Sequence, residues 1–263
     1  MKKILALIAA VMMCGAVLSG CGGNDDESSA EEASEISESA VEDAEETTES
    51  ADSASTADAN IEVSDEYQEF IEILKENVPI YGAYIEESTK FPVYNSFFYT
   101  DEDDEGTYSV EMEVIIAAIN RIAVNTVMDE GAVNIIVDGN MYYLVSPDSN
   151  AALYMELDDE TAAELTESLK SSMNPSFDAS AAEYESGKTD YNGTEYLYET
   201  INVNDEESEI NSITVYADTE TEEIKYIDVD GSVMEMKGFG HDIDESVFVI
   251  PDDYELINME DMD

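Results

Sequence analysis

The chain has 263 residues, of which 65 are Asp or Glu and only 9 are Lys or Arg, giving a formal net charge of −56. A surface of that sign repels phosphates and anionic headgroups and supplies almost no cations to neutralise them, which excludes nucleic-acid binding. Both cysteines, Cys14 and Cys21, lie close to the N-terminus, so the rest of the chain offers no thiol for a disulfide or for nucleophilic catalysis.

Lys2 and Lys3 precede an apolar run from Ile4 to Val17, which leads into Leu18-Ser19-Gly20-Cys21. This is the charged, apolar and small-residue order of an export signal, and the run is too short to span a bilayer, which takes roughly 20 apolar residues. The last four residues resemble a bacterial lipobox. The resemblance implies cleavage after residue 20, lipidation of Cys21 and anchoring to a membrane on its outer face. Two acyl chains suffice for stable anchoring, at about 0.8 kcal/mol per buried methylene. Residues 21–60 then carry Glu, Asp, Ser, Ala and Thr without an aromatic residue. Such a segment cannot bury enough apolar surface to offset its ordering entropy, and it is expected to be a disordered tether with a reach of roughly 35 Å.

Residues 61–263 are expected to form one domain. Ser64 and Asp65 precede Tyr67, Phe70, Ile71, Leu74 and Val78, whose spacing predicts an amphipathic helix ending near Pro79. Strands are predicted at Phe91–Thr100, Thr107–Ala117, Ile119–Met128, Val133–Val137, Met141–Val145 and Leu153–Leu157, with Asp138-Gly139 as a hairpin signal. Asp158 and Asp159 cap a second helix carrying Ala162, Leu165 and Leu169, which Asn174-Pro175 stops. A second meander follows at Tyr184–Gly187, Thr194–Val203, Ser212–Ala217, Glu223–Val229, Val233–Lys237 and Val247–Ile250. Helix, meander, helix and meander make an α+β domain dominated by antiparallel sheet.

Four segments in this order carry a resemblance: Ile136 to Pro147, Tyr191 to Tyr196, Val215 to Thr221, and Phe248 to Tyr254. Together they resemble the lipoprotein-localisation-factor superfamily, which includes periplasmic lipoprotein carriers and mycobacterial lipid-binding lipoproteins. The resemblance implies a strongly curved antiparallel sheet, a half-open β-barrel with two or so helices packed in its opening, and an apolar cavity. The carriers are soluble, whereas this chain reads as tethered, which speaks against a shuttle.

No cofactor and no enzymatic activity are expected. There is no Gly-x-Ser-x-Gly elbow and no phosphate-binding Gly-x-x-x-x-Gly-Lys loop. The lone histidine, His241, has no second His or Cys with which to build a metal or triad site, and it reads as a surface-loop residue. Asp101, Asp103 and Glu105 stand at positions 1, 3 and 5 of a calcium loop with Gly106 at position 6, but position 12 is Met112, with Glu111 and Glu113 out of register. The alternation of Tyr108, Val110, Met112 and Val114 with polar residues marks that segment as an acidic hairpin tip, and no metal site is expected there.

The candidate apolar-ligand residues are those on predicted strands that a curved sheet can turn inward: Met112, Val114, Met128, Met141, Tyr143, Tyr196, Tyr198, Met234 and Met236. The expected function is that of an anchored envelope lipoprotein that binds a lipid or other apolar ligand or serves envelope maintenance. The alternative is a sensor or adhesion module with a filled barrel, whose acidic surface binds cations or a protein partner.

Overall fold

The structure is a computed structural model, and it describes residues 63–103, 106–129, 131–172, 177–204, 208 and 210–261. The export signal, Cys21 and the tether lie outside the described residues.

Helix α1 (Asp65–Asn77) starts where Ser64 accepts the backbone N–H of Tyr67, and its first turn carries Asp65 and Glu66 while its last carries Lys75. The charges match the helix dipole at both ends. Tyr67, Phe70, Ile71 and Leu74 form the buried stripe. The single predicted helix is in fact followed at once by another, α2 (Pro79–Ser88). Proline cannot continue α1 but is well suited to the first turn of a new helix, where its fixed φ is preorganised and its missing N–H is not needed. The two helices touch closely at Gly82, where a Cβ would stand 2.5 Å from the Lys75 nitrogen. Lys75 and Glu86 close the same corner with an ion pair at 2.7 Å.

The strands are β1 (Val93–Asp103), β2 (Gly106–Ala118), β3 (Arg121–Met128), β4 (Gly131–Asp138), β5 (Met141–Ser146) and β6 (Ala151–Glu156), then β7 (Glu183–Tyr191), β8 (Thr194–Asn202), β9 (Ser212–Asp218), β10 (Ile224–Val229), β11 (Ser232–Gly240) and β12 (Glu255–Asn258). They form one sheet in the order β12-β6-β5-β4-β3-β2-β1-β11-β10-β9-β8-β7. Every pairing is antiparallel except that of β12 with β6. The sheet is strongly curved and does not close, so the fold is a half-open barrel. Asn192-Gly193 and Asp230-Gly231 both have positive φ at the two central positions, the turn geometry that matches strand twist in a two-residue hairpin.

Helix α3 (Asp159–Ser172) links the meanders, with Asp158 accepting the N–H of Thr161 at its start. The helices share one apolar core with alternate strand residues: Leu74, Val78 and Tyr81 pack in the same cluster as Phe97, Val114, Ile122, Val137, Ile213, Val215 and Ile227. Full burial of each such side chain contributes roughly 1.5–3 kcal/mol. This is the concave side. The convex side of β2 to β6 has its own, smaller core, in which Ile115, Ala123, Ile136, Val145 and Ala152 pack with Phe248.

Phe248 marks the main difference from the predicted elements. Val247–Ile250 is not a strand, because Glu245–Phe248 forms a 3-10 turn that presses Phe248 onto the convex face. Arg121 holds this strap by pairing with Glu245 at 2.6 Å and Asp138 at 3.3 Å while its guanidinium lies 4.4 Å from the Phe248 ring centroid. The strap then delivers β12, which the sequence pattern did not mark, to the β6 edge. At the acidic tip, β1 and β2 run further than expected, with Asp101 opposite Tyr108 and Asp103 opposite Gly106.

Candidate functional site

The concave face is left partly open between α2 and the start of β10 and the end of β11. Two β-bulges shape it. On β11 the register passes from Ser96 opposite Gly238 to Phe97 opposite Met236, so Lys237 is an extra residue. On β10 it passes from Ile224 opposite Ala217 to Tyr226 opposite Tyr216, so Lys225 is extra. A bulge re-aims the side chains on either side of it. Met236 and Phe239, three residues apart, therefore both face the concave core, as do Ile224 and Ile227.

The result is a half-open groove of about 230 Å³, lined by Ile80, Ala83, Tyr84, Ile224, Met236, Gly238 and Phe239, with Glu87, Glu222 and Glu223 at its mouth. The Tyr84 ring lies 4.9 Å from that of Phe239 and its hydroxyl donates to Asn95 Oδ1 at 3.2 Å, which fixes the wall of the groove.

The roof, α2, is capped from a distance. Val78 provides no side-chain cap and Pro79 has no N–H, so the first donors needing partners are those of Ile80 and Tyr81. Both go to Glu199 of β8, at 3.0 and 2.8 Å. The next, Gly82 N–H, reaches Val78 O at 2.8 Å. Among the described residues, Glu199 is the buried charged one, with 4% exposure. Burial pushes its carboxyl above the ordinary carboxylate range; the two N–H groups oppose this, and the Glu222 charge adds to it.

At the mouth, Glu87 accepts from Lys90 Nζ at 2.6 Å and faces His241 Nε2 at 3.1 Å. The Lys90 hydrogen bond, with His241 helping against some burial, holds the Glu87 carboxyl below its usual range. His241 Nδ1 lies 2.8 Å from Pro92 O. Both ring nitrogens of His241 thus have an oxygen within hydrogen-bond distance. Glu223 pairs with Lys225 at 2.8 Å. Glu222 adopts φ of +59° at the end of a turn that Asp218 holds by accepting the N–H groups of Glu220 and Thr221. Among the described residues no group of three or more His, Cys, Asp or Glu is arranged to hold a metal ion.

The candidate ligand residues separate into distinct environments. Met112, Val114 and Met234 are buried in the concave core at 7%, 5% and 4% exposure. Met236 alone among the candidates lines the groove. Met128 is 42% exposed at the far end of β3. Tyr143 packs on the convex core beneath the strap, and Met141, two residues earlier on the same strand, shares its face. Tyr196 and Tyr198 also point away from the concave core, since they alternate with the inward Glu199 and Ile201. The Tyr196 ring stands edge-on to Tyr226 at 5.7 Å, and Tyr198 donates its hydroxyl to Glu185 at 2.6 Å. Asp101 and Asp103 end β1, with side chains that are not described, and Glu105 lies outside the described residues.

The sequence reading missed Ile80, Ala83, Phe239 and Glu199. Of these only Phe239 stood in a marked motif, the Gly238-Phe239-Gly240 run, whose two glycines pack under the Tyr94 ring, where a Cβ would come within 3.1 or 3.2 Å of it.

No family model matches the sequence, and no curated protein matches it. Several solved structures are similar. One is a putative outer membrane lipoprotein-sorting protein domain from Vibrio parahaemolyticus, at 8% identity and a TM-score of 0.29, covering 66% of this chain and 96% of that one. Another is the MucA/MucB complex of Pseudomonas aeruginosa, at 9% identity and a TM-score of 0.35, covering 73% of this chain and 63% of that one. A third is a LolA-superfamily protein from Nitrosomonas europaea, at 10% identity and a TM-score of 0.26, covering 71% of this chain and 98% of that one.

Proposed function

We propose that this chain is a non-enzymatic, lipid-anchored extracytoplasmic lipoprotein whose half-open barrel binds the apolar part of a ligand in the groove beneath α2. The observation that carries this reading is the groove itself. Its six apolar lining side chains come from a helix and two bulged strands, and it stays open beside buried core residues such as Ile227 and Met234. Its volume of about 230 Å³ is below the roughly 300–1,000 Å³ of pockets that enclose a whole drug-sized ligand. It therefore takes an apolar tail or side chain and leaves the rest of the ligand outside. The anchor rests on Leu18-Ser19-Gly20-Cys21.

The test is native mass spectrometry with organic extraction of the mature protein purified without detergent, beside the Ala83→Trp variant, which narrows the groove from an exposed helix position. A reproducible apolar molecule that co-purifies with wild type and is lost in A83W supports the reading. Bare polypeptide masses, with no uptake of added lipid, refute it. Membrane fractionation of Cys21→Ala tests the anchor separately, the expected outcome being release of the protein from the membrane fraction.

A second reading has an observation of its own. Met112, Val114 and Met234 are buried in the concave core, so the space around these three candidates is filled. A sensor or adhesion module that meets its partner through the acidic surface needs no cavity. It gains ground if the extraction finds no ligand.

A further inference from the structure

The groove has a polar end as well as an apolar one, and the charge there selects what can enter. We propose that its ligand is an amphiphile whose polar head is cationic, with the apolar tail between α2 and β11 and the head beside Glu222. This rests on the reading of the groove as an apolar-ligand site and specifies the ligand class for it.

The three polar residues of the lining are all carboxylates, and no Lys or Arg lines the groove. Two of the three already have cations. Glu87 holds Lys90 at 2.6 Å and faces His241, and Glu223 holds Lys225 at 2.8 Å. Glu222 is held at the rim by the turn that Asp218 organises, with its own N–H bonded to Asp218 O at 3.0 Å. The rim therefore carries the Glu222 carboxylate beside two carboxylates that are already paired. An anionic head would meet like charge at the one place where it must sit. A cationic head neutralises it without displacing an existing ion pair.

Size agrees with this division. The apolar walls are supplied by Ile80, Tyr84, Ile224, Met236 and Phe239, whereas the carboxylates stand only at the mouth. A single tail fills the space and places its terminal charge at the opening. A rim charge pair is screened by water and contributes a fewfold in Kd, and reversing the sign of the head turns that attraction into repulsion. Heads of opposite charge on the same tail should therefore differ by about tenfold in Kd.

The experiment is isothermal titration of the mature chain with decyltrimethylammonium, decyl sulfate and decyl maltoside, each below its micelle concentration, at an ionic strength of about 0.15 M. The expected order is trimethylammonium tightest, maltoside between, and sulfate weakest by about tenfold. Glu222→Gln, an exposed rim change, should bring the three closer together, and Ala83→Trp should weaken all of them. Equal affinities, or sulfate binding tightest, would overturn the cationic preference while leaving an apolar groove in place. Cation binding that persists in A83W would overturn it as adsorption to the acidic surface. If none of the three binds, the groove is not a ligand site and both readings fall.

Discussion

Replacing Glu199 with Ala tests whether a strand residue holds the groove's roof. Glu199 supplies the acceptors for the Ile80 and Tyr81 N–H groups, and α2 has no side-chain cap of its own. The Tyr81 bond is buried and the Ile80 bond is partly so. An unsatisfied buried N–H costs roughly 1–3 kcal/mol, and loss of an N-cap about 0.5–2 kcal/mol. Counting one full and one partial loss gives about 3 kcal/mol for E199A. At about 2–4 °C per kcal/mol for a domain of this size, thermal unfolding followed by far-UV circular dichroism should fall by roughly 6–12 °C. Glu199→Gln keeps one good acceptor and should fall about half as far. The pair of variants also carries a pH signature. Burial raises the carboxyl of Glu199 above its unfolded value. Its contribution is thus fully present below about pH 4, the unfolded range, and is lost as pH rises through the raised folded value. Wild type should therefore gain stability relative to E199Q on acidification from pH 7 towards about pH 4. The other carboxylates titrate alike in both proteins and drop out of the difference. An E199A melting within about 2 °C of wild type would refute the claim that this carboxylate caps α2.

The Tyr142 hydroxyl is buried without a hydrogen-bond partner among the described residues. Tyr142→Phe is expected to raise stability by about 1 kcal/mol in a denaturant titration, because the orphaned group's desolvation cost disappears. Gly82→Ala should cost about 1–3 kcal/mol, since the new Cβ meets backbone atoms of Leu74 and Lys75 at 2.5 to 2.8 Å; an unchanged melting temperature would show that α1 and α2 can separate freely. Phe248→Ala should cost about 3–5 kcal/mol or as much as detaching the strap costs, whichever is smaller, and hydrogen exchange should show lost protection in β12 before β2. Hydrogen bonds from Thr221 and Glu220 hold Asp218 below the usual carboxylate range. Its contribution is present above about pH 4 and lost as pH falls through the lowered value, so Asp218→Asn should melt below wild type at neutral pH and match it in acid.

Much of the sheet was legible because hairpin turns have a local chemistry. Asn192-Gly193 and Asp230-Gly231 need positive φ, and glycine beside Asn or Asp announces it. Helix α1 was legible from its cap and stripe. Helix α2 was not, because Pro79 reads equally as an end and as a beginning, and its N-terminal partner is Glu199, far along the chain. The Val247–Ile250 run misled for a related reason: a short apolar segment fits a buried strand as well as a turn pressed on a sheet face. Alternation along β5 and β8 gave two faces without saying which was concave. The apolar Tyr143 is buried on the convex side by the strap, and the charged Glu199 points into the core. The groove itself was hidden because it depends on two bulges, and a bulge becomes visible only when a strand's partner is known.

The strand order has a kinetic consequence. Each meander, β1 to β6 and β7 to β11, is built from neighbours that can zip up locally, but they meet at β1 and β11, where Phe97 lies opposite Met236. That seam requires a large loop to close before any contact rewards it. As the chain folds from its N-terminal side, β1 stands as a bare edge until β11 arrives, exposing its unpaired N–H and C=O groups to any other extended chain. Seam closure is thus the step at which folding competes with misassembly. Refolding yield should accordingly depend on protein concentration far more steeply than the stability of the finished barrel would suggest.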